Sequence, residues 1–286
     1  MESFDAVAVA MRAAAFVAAL QAAGLALFVA AQRPALNGNV PALVALARSL
    51  TLAGLALVLA HQALEGTRLA GDWSGMLAMD IQSRNWRRSP GISALVCAAG
   101  LAVEYVGWRL HGALGRWLAV TGALGVAVSF ALTGHTTDAT VSPLVRVLLV
   151  LHVTIVAYWL GTIVALLRLT RVATTQALQQ VSSAFSASAA WIVPAIFPIG
   201  LGMAIGLLPN LAALRTVYGA LLGCKLAGFA ILLILAACNR WRVVPALQRE
   251  PLTATDRFRG MLHAEYLLVV AVLSVTAVMT SLYSWH

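Results

Sequence analysis

The sequence predicts an all-α, polytopic membrane protein built as a bundle of about eight transmembrane helices. Hydrophobic residues make up 61% of the 286 residues and charged residues only 10%, whereas a soluble domain has about 25% charged residues. The apolar runs are long enough for helices that cross a bilayer and too long for barrel strands. No stretch is long and polar enough to form a separate soluble domain, so residues 1–286 are predicted to form a single integral membrane domain.

Eight apolar runs of spanning length follow one another, at about residues 8–31, 42–64, 91–109, 114–134, 144–167, 187–208, 217–239 and 262–283. The first run follows the acidic residues Glu2 and Asp5 and has no basic leader, which favours a membrane span over a cleaved signal peptide. Arginines separate the later runs, as Arg109 and Arg116 do between the third and the fourth. The sixth run contains prolines and glycines, which allow a kink and close helix contacts.

The basic residues indicate how the bundle is oriented. The net charge is +9, and all but one of the 19 basic residues are arginines, most of them in loops or at span ends. This pattern favours contact with lipid headgroups over nucleic-acid binding. The loops after spans 1, 3, 5 and 7 hold ten arginines and the other side seven, which predicts that both termini lie outside the cytoplasm. The cluster of Arg84, Arg87 and Arg88 opposes this orientation.

Two charged residues stand in the midst of apolar runs. Lys225 and Glu265 are candidate functional residues, because a charge in hydrocarbon is costly unless it has a partner or a task. The alternative for Lys225 is that its ammonium group extends to the membrane surface. Glu104 lies near the inner end of the third span, where we expect it to meet Arg109 or water. The cysteines fall in or at the ends of apolar runs, so no disulfide framework is predicted.

Side chains that bind metals collect on the predicted outer side. His61 lies near the outer end of the second span, and His152 lies about 12 Å below the outer boundary at 1.5 Å per helical residue. Imidazole binds copper, zinc and iron, and thioether selects Cu(I). The predicted ligands of a copper ion, as Cu(I) or Cu(II), are His61, Met76, Met79, His135, Asp138 and His152.

The other roles of these residues stay open. Met76 and Met79 present two sulfurs on one face if their loop is helical, but methionines in membrane proteins also serve as packing, and His61 alternatively hydrogen-bonds at the interface. The acidic residues on this side, among them Asp72 and Asp80, are expected to raise the local cation concentration. On the inner side, Cys238, Met261, His263 and Glu265 form a candidate exit site for a metal; the alternative is helix capping and pairing with nearby arginines.

Several stretches of the second half resemble a known family. They are AFSASA at 184–189, Gly206, TVYGALLGCKLAGFAILLILAACNRWRVVPAL at 216–247 and FRGMLHAEYLLVVAVLSVTAVMTS at 258–281, preceded by TGHTTD at 133–138 and LHVTIVAYWLGTIVALL at 151–167. In order and spacing they resemble the copper resistance protein D (CopD) family of bacterial inner-membrane proteins, over about residues 130–283. The matching residues are Gly134, His135, His152, Trp159, Gly161, Phe185, Ser186, Tyr218, Gly219, Lys225, Asn239, Pro245 and Glu265. Thr162 departs from the pattern, because the family usually has a second glycine there.

The resemblance implies copper transport across the bacterial inner membrane, from the periplasm to the cytoplasm, or copper handling beside a periplasmic copper-binding protein. It adds Trp159 and Tyr218 to the functional residues. The chain contains no Gly-Lys-Ser/Thr sequence, so ATP is not expected to drive transport. We expect no enzymatic activity, because no catalytic grouping is recognisable.

Two alternatives stay open. In the first, His61 and His152 are axial ligands of a haem in a membrane cytochrome. In the second, the protein delivers copper to a client without transporting it. The sequence leaves the oligomeric state undetermined.

Overall fold

The computed structural model describes residues 3–133, 142–207, 211–249 and 251–282. Over these ranges the chain forms α-helices and short helical turns and contains no strand. The helices are α1 (Ser3–Gln32), α2 (Val40–Ala70), α3 (Met79–Arg87), α4 (Ser89–Arg109), α5 (Gly112–Ser129), α6 (Pro143–Val172), α7 (Thr175–Leu207), α8 (Val217–Cys238), α9 (Val244–Arg249) and α10 (Pro251–Leu282). Eight helical segments of this part of the chain are long and apolar enough to cross a membrane, with α8 and α9 in one segment. The predicted all-α class and multi-pass architecture are therefore confirmed.

Two spans begin earlier than the sequence predicts. Helix α7 begins at Thr175 instead of residue 187, and α10 begins at Pro251 instead of residue 262. The added turns carry polar residues on one side and bury Leu178, Val181 and Phe258 on the other. A hydropathy criterion misses such amphipathic turns because their average polarity is high.

Helix α1 is the central element of the bundle. It packs against α2, α5, α6 and α10, and its residues from Ala18 to Phe28 are almost all buried. Small side chains let membrane helices approach closely, and α1 is rich in alanine. The closest approach is at Gly24 and Gly161, where a Cβ on Gly161 would lie 2.0 Å from the Gly24 carbonyl carbon. Glycine is therefore required where α1 crosses α6.

Polar contacts define one end of the bundle. Arg68 near the end of α2 bonds to the Asp5 carboxylate at 3.2 Å and to the Ser281 carbonyl at 3.2 Å. Arg12 of α1 donates to the Ser281 hydroxyl at 3.0 Å. The start of α1, the end of α2 and the end of α10 therefore share one face, which we call the terminal face. The other end of the bundle, which holds the α1–α2 and α4–α5 connections, is the opposite face.

A π-helical turn, Asn239–Val243, connects α8 to α9. Pro245 explains this turn, because proline has no N–H to bond the carbonyl four residues earlier and its ring crowds that carbonyl. Wider π-turns relieve such interruptions and are frequent at functional sites. Asn239, the first residue of the turn, is buried.

Candidate functional site

Glu265 lies inside the bundle and not at the start of its helix. It follows the first residue of α10 by 14 positions, and the residue is 4% exposed. Its carboxylate accepts a hydrogen bond from Nδ2 of Asn239 and another from Trp159. None of the ion pairs within the described residues includes Glu265. The carboxylate is thus held by neutral donors, and among the described residues no cation pairs with it.

Three separate elements position this carboxylate. Trp159 is on α6, Asn239 begins the π-helical turn, and Glu265 is on α10. The structure therefore brings together three of the residues that the resemblance identified. The Oδ1 atom of Asn239 is buried and has no hydrogen-bond partner, which leaves one unused acceptor beside the Glu265 carboxylate.

Sequence reasoning missed two buried glutamines of α1 whose hydrogen-bond partners include the sequence neighbours of Glu265 and Trp159. Gln21 donates to the Tyr266 hydroxyl at 2.8 Å, next to Glu265 in sequence. Gln32 donates to the Tyr158 hydroxyl at 2.9 Å and to Ser188 at 3.1 Å. The sequence does contain a signal for these two residues, because a glutamine in an apolar span is costly unless its side chain is hydrogen-bonded.

His152 and Lys225 form a second pair, nearer the terminal face. They are the tenth residue of α6 and the ninth of α8, which places both about 13 Å from the starts of their helices. The charge of Lys225 acts electrostatically on the His152 imidazole. The Nδ1 atom of His152 is buried and has no hydrogen-bond partner. This nitrogen is available to a ligand, although the ammonium group beside it opposes a cation.

His61 belongs to an ion-pair network at the terminal face. Its Nε2 lies 3.3 Å from the Glu65 carboxylate, which also meets Arg68 at 3.4 Å. His61 also lines a small cavity of about 60 Å³, together with Cys97 and Thr133. Nε2 forms no well-oriented hydrogen bond, so the predicted roles of His61 as a metal ligand and as an interfacial hydrogen-bond partner both stay predictions.

His135 and Asp138 lie outside the described residues, as does Gly134. Thr133, which lines the His61 cavity, precedes His135 by two residues. The predicted roles of His135 and Asp138 as copper ligands therefore stay predictions.

The two methionines of the outer loop do not share a helix. Met76 ends the short turn Trp73–Met76, and Met79 begins α3. The interpretation as one helical face is wrong, because the helix starts only at the second sulfur-bearing residue. Met79 is 83% exposed and Met76 36%, and neither lines the His61 cavity.

Carboxylates of the same loop are held in their ionised form. Ser74 hydrogen-bonds to Asp72, and Arg84 donates to Asp80 at 2.7 Å. These hydrogen bonds lower the pKa of Asp72 and the pKa of Asp80 below their ordinary values. Both side chains therefore stay negative at neutral and mildly acidic pH, beside the exposed methionines.

The candidate exit site does not form as one group. Glu265 is buried, whereas His263 is exposed and its Nδ1 contacts the Arg259 carbonyl of its own helix. Residues two apart on a helix point in different directions. The alternative of arginine pairing is wrong for Glu265 as well, because its partners are Asn239 and Trp159.

Glu104 does not meet Arg109 or water at the interface. It is fully buried and accepts hydrogen bonds from the Thr51 hydroxyl and the Trp108 indole, both at 3.0 Å. Its other oxygen, Oε2, has no partner. The expectation failed because α4 turns Glu104 toward α2, while Arg109 at the helix end is exposed.

Tyr218 and Thr162 occupy positions apart from the Glu265 contacts. Tyr218 is the second residue of α8 and half-buried, 21 positions before Asn239. Thr162 is fully buried, and its hydroxyl donates to the Tyr158 carbonyl at 2.8 Å. The close approach to α1 uses Gly161, so threonine is accommodated next to it.

Within the described residues no group of three or more His, Cys, Asp or Glu side chains is placed to hold a metal ion. The candidate ligands His61 and His152 are therefore not joined by such side chains into a group of three or more within the described part of the chain.

Comparison with known proteins bears on the second half of the chain. Residues 179–279 match the family model of copper resistance protein D, a range that contains Lys225, Asn239 and Glu265 but not His152 or Trp159. The chain matches no curated protein and no solved structure. The resemblance is confirmed over this range: the chain is a multi-pass membrane protein that carries a copper resistance protein D region at residues 179–279.

Proposed function

We propose that the protein transports copper ions across the bacterial inner membrane, from the terminal face to the opposite face, which corresponds to import into the cytoplasm. The observation that carries this proposal is the buried Glu265 carboxylate. It lies within the family region and has only neutral hydrogen-bond donors. A cation in the bilayer interior is stabilised by such a carboxylate, and a carboxylate there without a cation is costly.

His152 provides an earlier copper-binding site on the proposed transport route. It lies nearer the terminal face than Glu265, since it precedes Trp159, a hydrogen-bond donor to Glu265, by seven residues of α6, or about 10 Å of helix. Copper accepts imidazole nitrogen as a ligand, and Nδ1 of His152 has no other partner. The ion reaches His152 from the terminal face, where Met76, Met79, Asp72 and Asp80 attract and capture it.

Lys225 limits the affinity of the His152 site for the copper ion. The Lys225 ammonium group, whose charge acts on His152, repels a second positive charge there in a medium of low dielectric. The ammonium group therefore weakens copper binding at His152 and favours release toward Glu265. Tight binding of copper at His152 would slow transport, so a site of low copper affinity is suited to this function.

Copper accumulation in cells tests the proposal. Cells that express the wild-type chain, His152→Ala, or a vector control are exposed to the same copper concentration, and cell copper is measured by mass spectrometry. The wild type is expected to accumulate more copper than the vector control, and His152→Ala is expected to fall to the vector level. The matched control is His263→Ala, which removes an exposed imidazole from the half of α10 that is nearer the opposite face.

Equal copper content in wild-type and vector cells would contradict transport and favour delivery of copper to a client. No contact favours the haem alternative, since His61 pairs with Glu65 while the charged neighbour of His152 is Lys225. A Soret band in the purified protein would nevertheless replace the copper proposal with that alternative.

A further inference from the structure

A basic cavity lies on the opposite face, away from the copper resistance protein D region. It has a volume of about 350 Å³ and is enclosed by parts of α1, α2, α4 and α5 and their connections. Arg33, Arg48, His111 and Arg116 line it, and none of its lining residues is acidic. Three guanidinium groups around one space repel each other unless an anion compensates their charge.

The backbone adds to this positive character. Helices α2 and α5 begin at the cavity, because Val40 and Gly112 are among its lining residues. The residues before them, Asn39 and His111, make no capping hydrogen bond with their side chains. Free N–H groups and the helix dipole make such helix starts favourable for anions, and here two of them meet at one cavity.

One arginine is held in place before any ligand binds. Arg48 donates to the Trp108 carbonyl through Nε at 3.1 Å and Nη2 at 2.6 Å. This leaves Nη1 for a ligand. No ion pair of the described residues involves Arg33, Arg48 or Arg116. Arginine is the side chain best suited to bind a phosphate group through paired hydrogen bonds.

The remaining lining is apolar. Ala26, Val29, Val44 and Ala119 form part of the cavity wall. A space with charged residues and an apolar wall between membrane helices matches a molecule with an anionic head and a hydrocarbon part. Basic pockets of this kind between helices bind the head groups of anionic lipids.

We propose that this cavity binds a phosphate-bearing anion, held by Arg33, Arg48, Arg116 and the starts of α2 and α5. The ligand is either an anionic phospholipid from the surrounding bilayer or a soluble phosphate compound. The site is independent of copper, since no residue of the proposed copper route lines it.

The test uses the purified full-length chain and its thermal unfolding midpoint. A ligand that binds the folded state raises the midpoint by an amount that grows with the logarithm of one plus its concentration over its Kd. Phosphatidylglycerol is expected to raise the midpoint more than phosphatidylcholine of the same chain length. In Arg33→Gln/Arg116→Gln the apparent affinity for phosphatidylglycerol is expected to fall about 25-fold, from about fivefold for each arginine. Arg87→Gln, an exposed arginine at the end of α3, is the matched control and keeps the wild-type affinity.

The other outcomes of this experiment either overturn the proposal or identify the source of the phosphate group. Equal effects of the two lipids on the wild type together with no effect of inorganic phosphate would overturn the proposal. Equal affinities of the double variant and Arg87→Gln for the ligand that binds would overturn it as well. If inorganic phosphate alone raises the midpoint and the double variant abolishes this effect, the phosphate site stands and its source is soluble. Should the glutamine variant not fold, Arg33→Lys/Arg116→Lys keeps the charge but cannot form paired hydrogen bonds. Loss of the lipid preference in that folded variant would support paired binding by arginine, and wild-type affinity would count against it.

Discussion

Two carboxylates lie inside the bundle with similar partners. Glu265 is bonded by Asn239 and the Trp159 indole, and Glu104 by Thr51 and the Trp108 indole. They differ in their place in the fold. Glu104 joins α2 to α4 only, whereas the contacts of Glu265 join α6, the π-helical turn and α10. Comparison of the two therefore separates a transport role from the general effect of a buried acid.

Replacement of Glu265 by glutamine is expected to remove copper accumulation and to preserve the fold. Glutamine keeps a carbonyl oxygen that accepts from Asn239 and Trp159, but it cannot offer a negative charge to a cation. Cellular copper should fall to the vector level, and the thermal midpoint should change by less than about 4 °C. Glu104→Gln makes the same chemical change and is expected to keep wild-type accumulation. Equal losses in both variants would contradict a specific role for Glu265.

The charged positions were predictable from sequence, and their partners only in part. Lys225 and Glu265 stand out because charge is rare in an apolar run. Hydropathy does not determine the rotation of a helix that is apolar on every side, so the partner of Glu104 was predicted wrongly. Asn239 and Trp159 were identified only through the family resemblance, since they lie on helices distant from Glu265 in sequence.

At the scale of elements, the crossing of α1 and α6 is the tightest contact of the core. A Cβ on Gly24 would lie 1.7 Å from the Ala157 carbonyl oxygen. Both backbones would have to move to admit even a methyl group. Trp159 is close to this crossing in sequence, so the crossing also sets the position of a donor to Glu265.

We expect Gly161→Ala to destabilise the protein, because its methyl group would overlap the backbone of Gly24 and Leu25. Overpacking of a core costs about 1–3 kcal/mol, which should lower the thermal midpoint by several degrees. Gly223→Ala on α8 is the matched control, since a Cβ there meets nothing within 4 Å, and alanine favours a helix by about 0.5–1 kcal/mol. A midpoint for Gly161→Ala equal to or above that of Gly223→Ala would contradict the described crossing.

The eight spans were predictable because each is long and apolar. Helix α3, the first turns of α7 and α10 and the π-helical turn were not, because these segments are amphipathic or depend on local backbone chemistry. The turn at Asn239–Val243 had a signal in Pro245, which interrupts the hydrogen-bond pattern of a helix. That signal indicates an irregularity but not its form.

At the scale of the whole molecule, the direction of the proposed copper transport depends on which face of the bundle lies outside the cytoplasm. The terminal face carries Met79 at 83% exposure, and exposed Ala113 lies near the start of α5 on the opposite face. The excess of arginines on the opposite face predicts that this face is cytoplasmic. The basic cavity agrees with this orientation, since anionic lipids give the cytoplasmic leaflet its negative potential.

Labelling of single cysteines tests the orientation. In a chain whose native cysteines are replaced by alanine, Met79→Cys should react with a membrane-impermeant maleimide in intact spheroplasts. Ala113→Cys should react only after the membrane is permeabilised. The reverse pattern would place the terminal face in the cytoplasm and turn the proposed import into export.

The contacts of Arg12 and Arg68 with Thr280 and Ser281 have a consequence for biogenesis. These arginines belong to α1 and α2, and their acceptors on α10 follow them by 213 to 269 residues. Until α10 is synthesised and inserted, the two guanidinium groups lack these acceptors. A polypeptide truncated before Thr280 would therefore expose the guanidinium groups of Arg12 and Arg68, without their acceptors on α10, to cellular quality control.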